Sequence, residues 1–182
     1  MKLLILDRDG TINVPRDDFI TTPEEWVPLP GAMEAIARLN HAGWKVVIAT
    51  NQPAIGRGLL EMAALNAIHN RMNHTLAEVG ARVEAVFICP HTPEDTCRCR
   101  KPGPGLLEQI GQRFGVPLSQ VPMAGDSVWD MEAAVAAGCQ PHLLLTGNSE
   151  AYRHWGVPAH LPTGTQVHVD LAAFAQVLLG DT

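Results

Sequence analysis

Two aspartates, Asp7 and Asp9, close a short apolar run, Leu3-Leu4-Ile5-Leu6, and stand two residues apart in Asp7-Arg8-Asp9-Gly10-Thr11. A carboxylate can attack phosphorus and carry the phosphoryl group, which splits one hard displacement into two easier ones. A second carboxylate can protonate the leaving oxygen and later take a proton from water. Further polar groups follow later apolar runs: Thr50 in Thr50-Asn51-Gln52, Lys101 beside Arg100, and Asp126 in Gly125-Asp126-Ser127, with Asp130 four residues on. The Thr50 hydroxyl and the Lys101 ammonium suit phosphoryl oxygens as their charge shifts. Three carboxylates, Asp7, Asp9 and Asp126, repel one another unless a hard cation lies among them, and magnesium fits. Each residue alone has an ordinary explanation. Asp7-x-Asp9 can be a solvated strand end, Thr50 a turn residue, Lys101 a surface lysine and Asp126 a helix cap. Their succession at the ends of successive apolar runs is what carries the reading.

A second constellation lies between them. Cys89-Pro90-His91 is followed by five residues and then Cys97-Arg98-Cys99. Three thiolates and one imidazole make a closed tetrahedral zinc site with no open position, the form of a structural site. Its last ligand directly precedes Arg100 and Lys101, so zinc is expected to aim these two cations. Cys139 stands apart and reads as a small buried hydrophobe.

The elements that position these groups alternate. Strands are expected at 3–6, 44–49, 84–88, 121–124, 142–145 and 166–169, and helices at 31–42, 61–79, 104–114, 128–137 and 171–179. Buried strands alternating with helices argue an α/β fold, a Rossmann-like three-layer sandwich with a mostly parallel sheet. Ligands bind such sheets at the carboxyl ends of the strands. At 182 residues the chain is expected to be one domain spanning 1–182, with the zinc loop at 89–99 as an insertion. The net charge of −6 opposes a nucleic-acid partner. No apolar run approaches the length of a membrane span, and a clustered cysteine set in a reducing compartment implies metal, so a cytoplasmic monomer is expected. His69 and His74 are expected to face solvent. Trp26, Trp44, Trp129 and Trp155 are expected to pack, with Trp129 nearest the chemistry.

The four segments Asp7-Arg8-Asp9-Gly10-Thr11, Thr50-Asn51-Gln52, Lys101-Pro102 and Gly125-Asp126-Ser127-x-x-Asp130 resemble the motifs of the haloacid dehalogenase superfamily of phosphatases, over residues 2 to about 147. The resemblance implies Asp7 as nucleophile, Asp9 as acid and base, and Thr50 and Lys101 as holders of the phosphoryl group. It also implies magnesium on Asp7, the Asp9 carbonyl and Asp126, with Asp130 supporting Lys101. The zinc loop is similar to that of two sister groups, which act on D-glycero-D-manno-heptose 1,7-bisphosphate and on histidinol phosphate. Both lack a large cap domain, and the segment after Thr11 is too short for one here.

Substrate choice then falls to the loops at 14–26, 51–58 and 89–101. The ending Ile55-Gly56-Arg57-Gly58 looks like the heptose-bisphosphate group. Pro53 departs from its usual small residue, and the five-residue gap from His91 to Cys97 looks more like the histidinol-phosphate group. The arginine weighs more, because a bisphosphate needs a second cation, with Arg16, Arg57 and Arg100 as candidates. Arg8, Asp18, Asn51, Gln52 and Pro53 complete the expected substrate contacts. The expected function is removal of the C7 phosphate from a sugar bisphosphate on the way to lipopolysaccharide heptose. Histidinol-phosphate hydrolysis is the first alternative. A polynucleotide 3′-phosphatase lacks the zinc loop. A receiver-like phospho-acceptor lacks a partner acid like Asp9. A zinc-centred interaction module leaves Asp7, Asp9 and Asp126 unexplained.

Overall fold

The computed structural model describes residues 1–181. Six strands, β1 (Lys2–Leu6), β2 (Trp44–Asn51), β3 (Ala85–Cys89), β4 (Pro122–Gly125), β5 (Gln140–Leu144) and β6 (Gln166–His168), form one sheet in the order β3-β2-β1-β4-β5-β6. Every pairing is parallel. Parallel neighbours need crossovers, and these are α1 (Ala32–His41), α2 (Pro53–Gly56) with α3 (Met62–Glu78), α4 (Gly105–Phe114), α5 (Val128–Ala137), and α6 (Tyr152–Trp155), with α7 (Leu171–Leu179) closing the chain.

The period of two along a strand divides the core. Leu4 and Leu6 of β1 join Val46 and Ile48 of β2 on one face, under α1, α3 and α7. Leu3 and Ile5 join Val47 and Ala49 on the other, under α4 and α5. The expected strands and helices are all present, with ends shifted by two residues at most. Two one-turn helices, α2 and α6, lie in stretches whose sequence shows no periodicity, because four residues are too few to display one.

The chain places β1, β2 and β3 on one side and then crosses to β4 on the other flank of β1. The register sets Leu6 beside Ala124, and the Asp7 amide donates to the Ala124 carbonyl at 3.0 Å. The strand order therefore reverses between β1 and β4, where an open α/β sheet leaves its crevice. Asp7 and Asp126 leave adjacent strands into that crevice.

The far edge holds a pair with no ligand spacing in the sequence. His142 Nδ1 and His168 Nε2 are 3.0 Å apart on β5 and β6, against the Phe174 ring of α7. Burial, with His168 adding to it, pulls His142 from 6.5 down to about 4, and burial also lowers His168. Above about pH 7 both rings are neutral in the folded and unfolded chain, and the stability they support is complete. As pH falls below 6.5, the unfolded chain takes up protons that the folded one refuses, so stability declines until about pH 4. For His142 alone the expected loss is about 2 kcal/mol by pH 5. Urea midpoints at pH 7.5 and pH 5 test this: His142→Leu should show a smaller drop than the parent, and equal drops would reject it.

Candidate active site

Two cavities meet over Asp9, Asn51, Pro53 and Asn148 at the carboxyl rim. The smaller, about 160 Å³, is lined by Asp7, Thr50, Arg100, Lys101, Asp126, Trp129 and Asp130. The larger, about 350 Å³, opens over Arg16, Asp17, Phe19 and Gly147. Phe19 stands at φ 66°, in the left-handed region that a phenylalanine rarely adopts, in the loop walling the larger cavity.

Asp7 leaves β1 nearly buried, and its Oδ1 accepts from Lys101 Nζ at 2.7 Å. The same ammonium donates to Asp130 Oδ1 at 2.7 Å and to the Ala49 carbonyl at 2.8 Å, so all three of its donors are satisfied. Burial alone favours a neutral amine, but the carboxylates of Asp130 and Asp7 outweigh it and hold Lys101 above its ordinary value. Burial, and the charge of Asp130 against that of Lys101, raise Asp7 to about 6. Asp130 keeps its place through a capping box at the start of α5: its Oδ2 accepts from Ser127 Oγ at 2.9 Å and from the Ser127 amide. Asp130 thus bridges the Lys101 ammonium and the start of α5.

Asp126 is buried. Its Oδ2 accepts from the Asn148 amide at 2.8 Å, and its Oδ1 is buried with no partner. Burial, then the charges of Asp7 and Asp130, raise it well above the usual carboxylate range. Gly10 permits this approach: at φ 84° a Cβ there would stand 2.1 Å from Asp126 Oδ2. The Asp7, Asp126 and Asp130 carboxylates offer oxygens within 4.8 Å of one another. Asp7 Oδ2 and Asp126 Oδ1 lack donors among the described residues, whereas both Asp130 oxygens are occupied. An orphaned buried oxygen in a crowd of negative charge fits a hard divalent cation, held by Asp7 and Asp126.

The expectation that the Asp9 carboxylate joins that crowd is corrected. Its Oδ1 accepts from Arg8 Nη2 at 2.9 Å, Arg8 Nε at 3.2 Å and Asn13 Nδ2 at 3.0 Å, and its Oδ2 accepts from Gln52 Nε2 at 3.0 Å. These donors occupy both of its oxygens, and it lines both cavities without joining the cluster of Asp7, Asp126 and Asp130. Burial raises its pKa, but Arg8 and the hydrogen bonds outweigh this and lower it overall. Asp130, not Asp9, is the third carboxylate of the cluster.

Several expected substrate contacts have other partners. Arg8 is fully buried and faces Asp9 and His69, out of reach of solute. Asn51 is clamped to the Lys101 backbone, donating to its carbonyl and accepting from its amide, both at 3.0 Å. The Gln52 amide bridges Asp9 and the buried Thr50 hydroxyl, each at 3.0 Å. Asp18 is exposed and pairs with Arg16. Arg57 is exposed at the end of α2 and lines neither cavity. Pro53, Arg16 and Arg100 do line them. Arg100 Cζ lies 5.9 Å from the centre of the half-exposed Trp129 ring, within cation–π range. Trp129 thus rims the cavity instead of packing, and Trp155 is mostly exposed, while Trp26 is fully buried as expected.

His69 is the residue that sequence reading missed. It shares α3 with the buried Leu65, Ile68, Met72 and Leu76. Positions 65, 68, 69, 72 and 76 form one helical stripe, and that periodicity is the signal that places His69 inward.

In the zinc loop, Cys89 Sγ lies 3.1 Å from Cys99 Sγ and 3.9 Å from Cys97 Sγ, and His91 Nδ1 lies 3.4 Å from Cys89 Sγ and 3.2 Å from Cys99 Sγ. Zinc at ~2.3 Å from sulfur and ~2.0 Å from nitrogen sets tetrahedral ligands roughly 3.5–3.8 Å apart. The four residues fit that ion.

A carboxylate nucleophile position, a lysine shared by two aspartates and a second acid two residues on, at the carboxyl rim of a parallel sheet, define a phosphoryl-transfer hydrolase. Residues 5–138 match the haloacid dehalogenase-like hydrolase family, and the chain belongs to it. It is 51% identical over 98% of both chains to the D-glycero-beta-D-manno-heptose-1,7-bisphosphate 7-phosphatase of Bordetella bronchiseptica. It is 52% identical to the Pseudomonas aeruginosa enzyme of the same name, over 97% of both chains. The crystal structure of the B. bronchiseptica D,D-heptose 1,7-bisphosphate phosphatase, complexed with magnesium and phosphate, matches over the full length of both chains with a TM-score of 0.94.

Proposed function

We propose that the chain removes the 7-phosphate of D-glycero-D-manno-heptose 1,7-bisphosphate, a step toward the heptose of lipopolysaccharide. Asp7 attacks phosphorus as the bond to the sugar O7 breaks, and Asp9 delivers a proton to that departing oxygen. A water then attacks the aspartyl-phosphate, giving its proton to Asp9, and the Asp7 carboxylate is released as inorganic phosphate leaves. A phosphate dianion arriving beside Asp9 raises its affinity for the proton that the first step needs. Lys101 and Thr50 hold the transferring oxygens, and Asn51 and Gln52 hold Lys101, Thr50 and Asp9. Asp7, Asp126 and the Asp9 carbonyl would hold magnesium, whose charge would offset that of the carboxylates and the phosphate.

Arg100 and Arg16 reach the cavities and are the candidates for the phosphate on carbon 1, and Arg57 is set aside by its place outside them. We read residues 1–182 as one unit without a cap, ordered by zinc on Cys89, His91, Cys97 and Cys99. A monomer acting on a small solute in the cytoplasm, with neither nucleic acid nor membrane as partner, is supported by the net charge of −6 and the clustered thiols. No helix among the described residues is long and apolar enough to cross a membrane.

The observation that carries the substrate is identity near one half over nearly the whole of two enzymes that share it. Phosphate release from the heptose 1,7-bisphosphate and from histidinol phosphate tests it. At least tenfold higher kcat/KM on the bisphosphate is expected, and the reverse preference overturns the assignment.

A further inference from the structure

Arg8 is fully buried, and such a charge persists only when its donors find acceptors. One edge of the guanidinium, Nε and Nη2, grips Asp9 Oδ1, and the remaining nitrogen, Nη1, lies 3.1 Å from His69 Nε2. Arginine offers donors alone. His69 Nε2 must therefore accept, which fixes the ring as neutral with its proton on Nδ1. The ring is partly buried on the inner stripe of α3, so the helix sets where the acceptor stands.

We propose that His69 is a positioning residue for the acid-base step: it accepts from Arg8 Nη1, locks the guanidinium in plane, and so fixes the Asp9 carboxyl where the departing oxygen will be. The inference rests on the reading of Asp9 as the acid. Among the described residues His69 is the side chain other than Asp9 that hydrogen-bonds the Arg8 guanidinium, because Asn13 and Gln52 bind Asp9 directly and not Arg8. A misplaced acid matters most where the leaving oxygen is a poor one. An alkyl oxygen of a sugar phosphate needs its proton, whereas p-nitrophenolate leaves without it.

The test measures kcat/KM, which reports the steps through transfer to Asp7, for His69→Leu, His69→Gln and Asp9→Asn on heptose 1,7-bisphosphate and p-nitrophenyl phosphate. His69→Leu is expected to lose about 10- to 100-fold on the sugar bisphosphate and less than about threefold on the nitrophenyl ester. His69→Gln, whose amide oxygen can accept from Arg8, is expected to recover most of the loss. Equal losses on both substrates, no loss, or a Gln variant as poor as the Leu variant overturns the proposal. If Asp9→Asn itself shows no dependence on the leaving group, the acid reading of Asp9 fails; if it does while His69→Leu does not, the positioning role alone fails. Nitrogen NMR of the unmodified protein at pH 7.5 supplies a reading that needs no variant. A ring protonated on Nδ1 alone is expected, and a proton on Nε2 overturns the proposal.

Discussion

Asp7→Asn is expected to lower kcat by at least about 10⁴-fold while leaving the melting temperature unchanged or higher. The first half follows from covalent chemistry, since an amide cannot take over the phosphoryl group and losing a nucleophile removes most of the acceleration above water. The second follows from crowding. The carboxylates of Asp7, Asp126 and Asp130 come within 4.8 Å of one another, and one ammonium, Lys101, serves only Asp7 and Asp130 among them. Lys101 retains Asp130 and the Ala49 carbonyl when Asp7 loses its charge. A site assembled for chemistry is commonly strained for stability, and removing one of its like charges relieves it. Steady-state turnover and thermal denaturation of the same sample check both halves. Turnover within tenfold of the parent would sink the mechanism, and a fall of several degrees in melting temperature would sink the crowding argument.

Removing zinc, by chelation or by Cys97→Ser, is expected to lower the melting temperature by about 10 °C or more and to raise KM more than it lowers kcat. Zinc binding can contribute on the order of 10 kcal/mol to small peptides, and a fraction of that would order this loop. The split between KM and kcat comes from how the two cations after the loop are held. Lys101 has anchors of its own in Asn51, Asp7 and Asp130. Arg100 has only a long contact to the His91 carbonyl at 3.4 Å and the face of Trp129. Loss of the ion is therefore expected to free Arg100, one of the two candidates for the distal phosphate, before it frees Lys101. The loop also closes tightly on α4, where the Gly105 amide donates to the Arg98 carbonyl at 3.0 Å and a Cβ on Gly105 would stand 2.6 Å from that oxygen. Zinc content by mass spectrometry, with melting and kinetics on the same sample, decides it. A zinc-free variant with unaltered KM and melting temperature overturns the role given to the ion.

Much of this architecture is legible in local sequence. The alternation of Leu3 and Ile5 with Leu4 and Leu6 already divides β1 between two cores, and Asp7, Thr50, Lys101 and Asp126 each follow an apolar run. The three cysteines and one histidine proposed to hold zinc lie within eleven residues, so spacing alone gathers them. What sequence reading missed depends on contacts between distant segments. Asn51 and Gln52 read as contacts for solute, yet their amides bind the Lys101 backbone and the Asp9 carboxyl. Arg8 reads as a contact for solute beside two acids, and only the place of His69 on the inner stripe of α3 brings the two together. The replacement of Asp9 by Asp130 in the acidic cluster has the same origin, because Arg8, Asn13 and Gln52 compete for Asp9 from one side. His142 and His168 meet only because β5 and β6 pair in one register.

The reversal of strand order between β1 and β4 has a consequence for synthesis on the ribosome. Asp7 is made well before the carboxylate that faces it across the crevice, Asp126, which follows three further strands and four helices. A chain stopped short of β4 is expected to carry only half of this acidic rim. Closure of the rim is expected to wait for the docking of one four-residue strand, β4, beside β1.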